Sequence, residues 1–174
     1  MTRSIVAVAL LALAACAPKP ETPEQMAART KAESDSARTA IEADNARFVR
    51  YFAAGKADSA AMSYAEDAVV MESNAPPVRG RAAIQAKLAE LLGWGTNEFS
   101  VTVARVNANG PLAVVQGTYF ENFKPGPHAP PGMTASTDTA KFVSAWKKVN
   151  GMWLIFADIA NSNRAIPAPD ARKH

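Results

Sequence analysis

The sequence predicts an α+β fold: three N-terminal helices packed against a curved, cone-shaped sheet that is mixed but mostly antiparallel. Two observations carry this expectation. Apolar residues recur with helical spacing as far as Leu92, then switch to the alternation of half-buried strands. The second half also contains turn signals at residues 107–111 and at Asn150-Gly151, which join consecutive strands as hairpins. The composition suits such a domain. Of 174 residues, 48% are apolar and 20% charged, which excludes collagen-like, mucin-like and wholly disordered classes. The net charge is only +3, and Lys and Arg never run longer than a pair, as at Lys147-Lys148. No nucleic-acid partner is expected from that distribution.

Residues 1–15 read as a leader. Arg3 precedes eleven consecutive aliphatic residues, 5–15. That run is shorter than the roughly 20 residues a bilayer span needs, and it suits the core of a signal peptide. It ends in Leu13-Ala14-Ala15-Cys16, which resembles the bacterial lipobox; Cys16 is the only cysteine in the chain. The resemblance implies a diacylated Cys16 that becomes the new N-terminus and anchors the protein to a membrane. The alternative is an ordinary secretory leader with an incidental cysteine. An anchored product belongs to the bacterial cell envelope on the periplasmic side. Ala17, rather than Asp, favours the outer over the inner membrane. With Cys16 consumed, the domain has no thiol for a disulfide, a nucleophile or a metal.

Residues 16–34, with Pro18, Pro20 and Pro23, read as a tether. Within them Thr22-Pro23-Glu24-Gln25 carries a helix-start signature, a Thr cap with Gln three residues on. A stronger helix is expected over residues 36–54, where Ile41, Phe48 and Phe52 share a face and Gly55 stops it. A short helix follows at 58–64 with Asp58 as its N-cap, then a short strand at 69–71. Residues 74–80, with Pro76 and Pro77, form a loop. The third helix covers 81–92 with Ile84, Leu88, Leu91 and Leu92 on one face. Four strands follow at 99–106, 112–123, 137–149 and 152–160. A Pro- and Gly-rich loop over 124–134 separates the second from the third. The domain thus spans 35–163, and 164–174 is a frayed tail. A coiled sheet closed by helices leaves a hollow where the two fail to meet.

Two stretches carry a further resemblance. One runs from Gly55-Lys56-Ala57-Asp58 through Tyr64-Ala65-Glu66-Asp67-Ala68-Val69-Val70 to Arg79-Gly80-Arg81-Ala82-Ala83-Ile84. The other is residues 142–158, with Trp146, Asn150-Gly151 and Trp153. In order and spacing they resemble the SnoaL-like, ketosteroid-isomerase-related branch of the nuclear transport factor 2-like superfamily, in particular its large group of unknown function. The resemblance implies the cystatin-like α+β roll, and dimers formed through the outer sheet face.

It also directs attention to particular residues. In the isomerases a carboxylate just after the first signature moves a proton, and Glu72 falls there. A carboxyl in an apolar pocket, its pKa raised, is suited to that work. The opposing possibility is a strand-end Glu in water. The isomerases' phenol falls at Phe48, which has no hydroxyl, with Tyr51 one turn on. Their protonated carboxyl falls near Ala145, and no acid lies between Lys141 and Lys148. The full ketosteroid isomerase site is therefore not expected.

Asp158 is the second acid of interest, because it alternates with Leu154 and Phe156 and so shares an apolar face. A structural ion pair with Arg79, Arg105 or Lys147 is the competing reading. Arg105, Gln116 and Tyr119 are candidate polar wall groups, and Trp146 a large apolar one. His128 and His174 are isolated, so no metal site and no cofactor are expected.

Three functions remain open at this stage: binding of a small, mostly apolar molecule in the cone; an isomerase, dehydratase or cyclase using Glu72 or Asp158; or a homodimeric interaction module.

Overall fold

The computed structural model describes residues 20–164. The leader, Cys16 and most of the tail lie outside the described residues. Helix α1 (Pro23–Ala53) is a single helix of 31 residues. Thr22 caps it, accepting from the Gln25 backbone N–H while the Gln25 side chain accepts from the Thr22 backbone. The segment expected as a tether is therefore helical from Pro23 onward. Ion pairs one turn apart, Arg29–Glu33 at 3.0 Å and Lys31–Asp35 at 2.6 Å, support its solvent-facing turns. Ala37, Ile41 and Phe52 are its buried apolar face, and Gly55, at φ 69°, follows the helix in the left-handed region.

Helix α2 (Ala57–Ala61) begins one residue earlier than expected, with Lys56 at the cap position, so Asp58 lies inside its first turn. Strand β1 (Tyr64–Glu72) is three times the length expected, and β2 (Val78–Arg79) pairs antiparallel with it. The other edge of β1 pairs parallel with the last strand, and a register shift between Tyr64 and Val69 leaves its burial without a clean alternation for the sequence to show. Helix α3 (Arg81–Trp94) leads directly into β3 (Gly95–Asn109). β4 (Leu112–Pro125), β5 (Ser136–Val149) and β6 (Met152–Ser162) complete a six-stranded sheet in the order β2-β1-β6-β5-β4-β3. The β5–β6 turn has positive φ at both central residues, Asn150 (51°) and Gly151 (83°), the geometry a two-residue hairpin needs.

Three ladders carry register shifts: β1 against β6 between Tyr64 and Val69, and two more in β3 and β6. In β3, Ala104 has no partner between the pairs Val103–Gly117 and Arg105–Gln116. Arg38 of α1 donates to the carbonyls of Val103 (3.2 Å) and Ala104 (2.9 Å), so the helix docks on the bulge. In β6, Phe156 is the extra residue between the pairs Trp146–Ile155 and Ala145–Ala157. The core forms between α1, α2, α3 and the concave face, around Ile41, Val115 and Trp146, which are almost wholly buried.

Candidate functional site: a cavity under the sheet

The helices do not fill the concave face. A cavity of about 400 Å³ remains between them and the sheet. Its apolar wall is built largely of rings. Phe48 and Phe52 lie one turn apart on α1 and stack at 5.7 Å. Phe99 of β3 meets both, at 6.2 and 5.4 Å, and Tyr119 of β4 packs on Phe99 at 5.3 Å. Phe142, Trp146 and Ile155 continue the wall across β5 and β6, and Leu88 and Leu91 of α3 face them.

Polar side chains stand among the rings, including Asn45, Ser63, Ser73 and Ser162, and three of them are acids. Asp158 sits on β6 between Ser144 of β5 and Val70 of β1, its partners in the two ladders. Glu72 lies two residues beyond Val70 on β1, paired with Ala160, and reaches the same cavity. Glu121 enters from β4 and accepts a hydrogen bond from Asn97 at 2.7 Å. Ser144 is buried and accepts from the Trp146 indole N–H at 2.8 Å.

Three lining groups are shifted by their surroundings, and Asp158 is the acid among them. Burial pushes its carboxyl up to about 6, and nearby Glu72 adds to the rise, against a backbone N–H at Ile159 that favours the charged form. Its Oδ1 is buried and has no hydrogen-bond partner among the described residues. The same negative field reaches the phenols. Tyr119 is raised to about 12, first by burial and then by Glu121, Asp138, Glu72 and Asp158. Tyr64 is raised well above its ordinary value, first by burial and then by Asp158 and Glu72.

Of the residues singled out from the sequence, Glu72, Asp158, Phe48, Tyr119 and Trp146 line this cavity. Three do not. Tyr51 is half-buried against the core but off the cavity wall. Three residues along a helix rotate it ~60° to one side of Phe48, whereas Phe52 lies ~40° to the other. Arg105 and Gln116 are exposed, paired with each other on the outer face of the sheet. Gln116 alternates with inward Val115 and Gly117, and the Ala104 bulge reverses the parity of β3 so that Arg105 turns outward.

Asp158 reaches the interior by a route different from the expected one. Leu154 and Phe156 are not on the cavity wall; Ile155, Asp158 and Ala160 are. The bulge at Phe156 switches which residues face inward, and Phe156 lies instead beneath Lys147, 5.7 Å from its Nζ. Nor does Asp158 pair with Lys147, which bonds both carboxylate oxygens of Asp67 at 2.6 and 2.8 Å. Sequence reasoning passed over Tyr64, Phe99, Phe142 and Glu121. The last two were within reach by strand alternation alone, Phe142 from Trp146 and Glu121 from Tyr119. Among the described residues no three metal-ligating side chains come together, and no helix is long and apolar enough to cross a membrane.

The family model of the SnoaL-like domain matches residues 45–154, from Asn45 of α1 through β5 to the first residues of β6. The chain belongs to the SnoaL-like domain family. Solved structures agree on the fold of this SnoaL-like domain. A nuclear transport factor 2-like protein with a cystatin-like fold from Novosphingobium aromaticivorans superposes with a TM-score of 0.62 at 18% identity, covering 84% of this chain and 94% of that one. A candidate scytalone dehydratase from the same organism gives 0.67 at 14% identity, covering 83% and 99%. A ketosteroid isomerase-like protein from Erwinia carotovora atroseptica gives 0.62 at 12% identity, covering 73% and 96%. No curated protein matches the chain. At these identities the likeness concerns the fold, which many functions share.

Proposed function

We propose that the SnoaL-like domain binds a small, mostly apolar molecule inside its cone, in a protein held at the bacterial envelope through lipidated Cys16. The cavity supports the binding reading: about 400 Å³ of space with a largely apolar wall of aromatic rings, among which hydroxyls and three acids stand. That combination is characteristic of ligand sites. The anchor rests on the Leu13-Ala14-Ala15-Cys16 motif and its aliphatic leader.

Filling the cavity tests the first part. Ala160 is small and lines the wall, so Ala160→Phe occupies ligand space. Screened by thermal shift against a hydrophobe library, the native chain is expected to show stabilising compounds, and Ala160→Phe, still folded, to lose them. A library with no hits, or hits untouched by Ala160→Phe, overturns the reading. For the anchor, mass spectrometry of the membrane-extracted protein is expected to find an acylated N-terminal Cys16. An unmodified mature N-terminus refutes it.

A second reading, proton transfer of the isomerase, dehydratase or cyclase type, is favoured by one specific observation. Asp158 carries a buried oxygen with no partner among the described residues and a carboxyl raised to about 6, so it can hold or release a proton near neutral pH. The oxyanion donors of the isomerases are missing where their pattern falls: Phe48 has no hydroxyl, and β5 supplies Ser144 in place of an acid. Ligands recovered from the first screen, if turned over, should survive unchanged with Asp158→Asn.

A further inference from the structure

The charge of the cavity wall is one-sided. Glu72, Glu121 and Asp158 line it, and among the described residues no Lys, Arg or His does. Three cations on neighbouring elements are committed elsewhere. Lys147 is bound to Asp67, Arg81 donates to the Tyr64 carbonyl at 2.7 Å, and Arg164 pairs with Asp138 at 3.6 Å. Glu121 is satisfied by Asn97, whereas Oδ1 of Asp158 is buried, unpartnered and on the wall of the hollow. A buried acceptor in that condition is costly, and a donor from outside the chain would relieve it.

The rest of the wall answers the same need. Phe48, Phe99, Tyr64, Tyr119 and Trp146 line the space, and cations are attracted to aromatic ring faces. An anionic head group beside Asp158 would meet two carboxylates, its own and that of Glu72, without a counter-charge. A neutral one would leave the field of Glu72 and Asp158 uncompensated. A bare metal ion would find no cluster of three ligands among the described residues.

We propose that the cavity selects organic cations: an apolar body, aromatic or aliphatic, bearing a protonated amine that Asp158 and Glu72 receive. This rests on the ligand-binding reading above and narrows it to one chemical class. The amine N–H donates to Asp158 Oδ1, Glu72 supplies the second charge, and the body lies along Phe48, Phe99 and Trp146.

The test uses three probes with one body: phenylbutylamine, phenylbutanol and phenylbutanoate, titrated calorimetrically into the full chain at neutral pH. The amine is expected to bind about tenfold more tightly than the alcohol, and the carboxylate more weakly than either. Asp158→Asn combined with Glu72→Gln should erase the difference between amine and alcohol while leaving alcohol binding in place. Ala160→Phe should abolish binding of all three. Equal affinity for amine and alcohol, or a preference for the carboxylate, overturns the charge selection and leaves the apolar cavity standing. If none of the probes binds, both the cation selection and the parent reading fall.

Discussion

Ser34 and Ala108 are 74 residues apart in sequence, yet the Ser34 hydroxyl oxygen accepts the Ala108 backbone N–H at 2.9 Å. One residue earlier, Glu33 accepts from the Gly110 N–H at 3.1 Å, at the tip of the β3–β4 hairpin. The early turns of α1 thus hold the far end of the sheet.

Truncation reads this directly. A chain starting at residue 35 is expected to be less stable than one starting at Glu21, because Ala108 is almost fully buried and would lose its acceptor. Ser34→Ala alone should cost about 1–2 kcal/mol. Urea denaturation of the three proteins measures it; equal midpoints would show that the contact contributes nothing.

Asp158 makes stability depend on pH in the direction opposite to a salt-bridged acid. Its folded carboxyl is raised to about 6 from an ordinary 3.8, so between those values the folded state binds the proton more tightly than the unfolded one. Below that window Asp158 is neutral in both states and costs nothing. As pH rises through it the fold loses stability, by roughly 2–3 kcal/mol once the group is charged. Asp158→Asn should therefore stabilise the protein at neutral pH and flatten the slope between about pH 4 and 6. Denaturation midpoints across that range check it. A native profile already flat would mean that Asp158 titrates normally.

Gly117 is fixed by a close approach rather than by its dihedral angles. A Cβ there would stand 2.7 Å from the Phe142 ring, its cross-strand neighbour, and closer still to the Thr102 carbonyl oxygen. Gly117→Ala is expected to lower stability by about 1–3 kcal/mol and to disturb the cavity wall, because Phe142 forms part of it. Adding Phe142→Leu should recover only part of the loss, since the backbone clash persists. Full rescue would place the strain in the ring alone.

The Trp146 indole N–H has Ser144 as its partner inside a wholly buried environment. Ser144→Ala leaves that donor unsatisfied and should cost about 1–3 kcal/mol, more than the loss of one exposed hydroxyl. Trp146 fluorescence and thermal denaturation of the variant report it together. An unchanged melting temperature would indicate that a water replaces the hydroxyl.

Local patterns in the sequence determined much of the fold. The Thr22–Gln25 box starts α1, and the alternation from Phe99 onward marks the long strands. Asn150-Gly151 closes the last hairpin because both residues tolerate positive φ. Periodicity and turn chemistry act over a few residues, so they are legible without coordinates. The sequence pattern marks only residues 69–71 of β1, because its parallel partner β6 is remote in the chain and a register shift between Tyr64 and Val69 breaks the alternation.

What faces the cavity was decided by tertiary structure. The bulges at Ala104 and Phe156 each reverse a strand's parity. One sends Arg105 outward and the other brings Asp158 in beside Ile155, where counting by twos from Leu154 gives the right residue for the wrong reason. A bulge is an extra residue tolerated when a remote partner, here Arg38 for the first, satisfies the backbone it frees. The convergence of Glu72, Glu121 and Asp158 from three strands depends on register between segments far apart in the chain. Only packing sets that register.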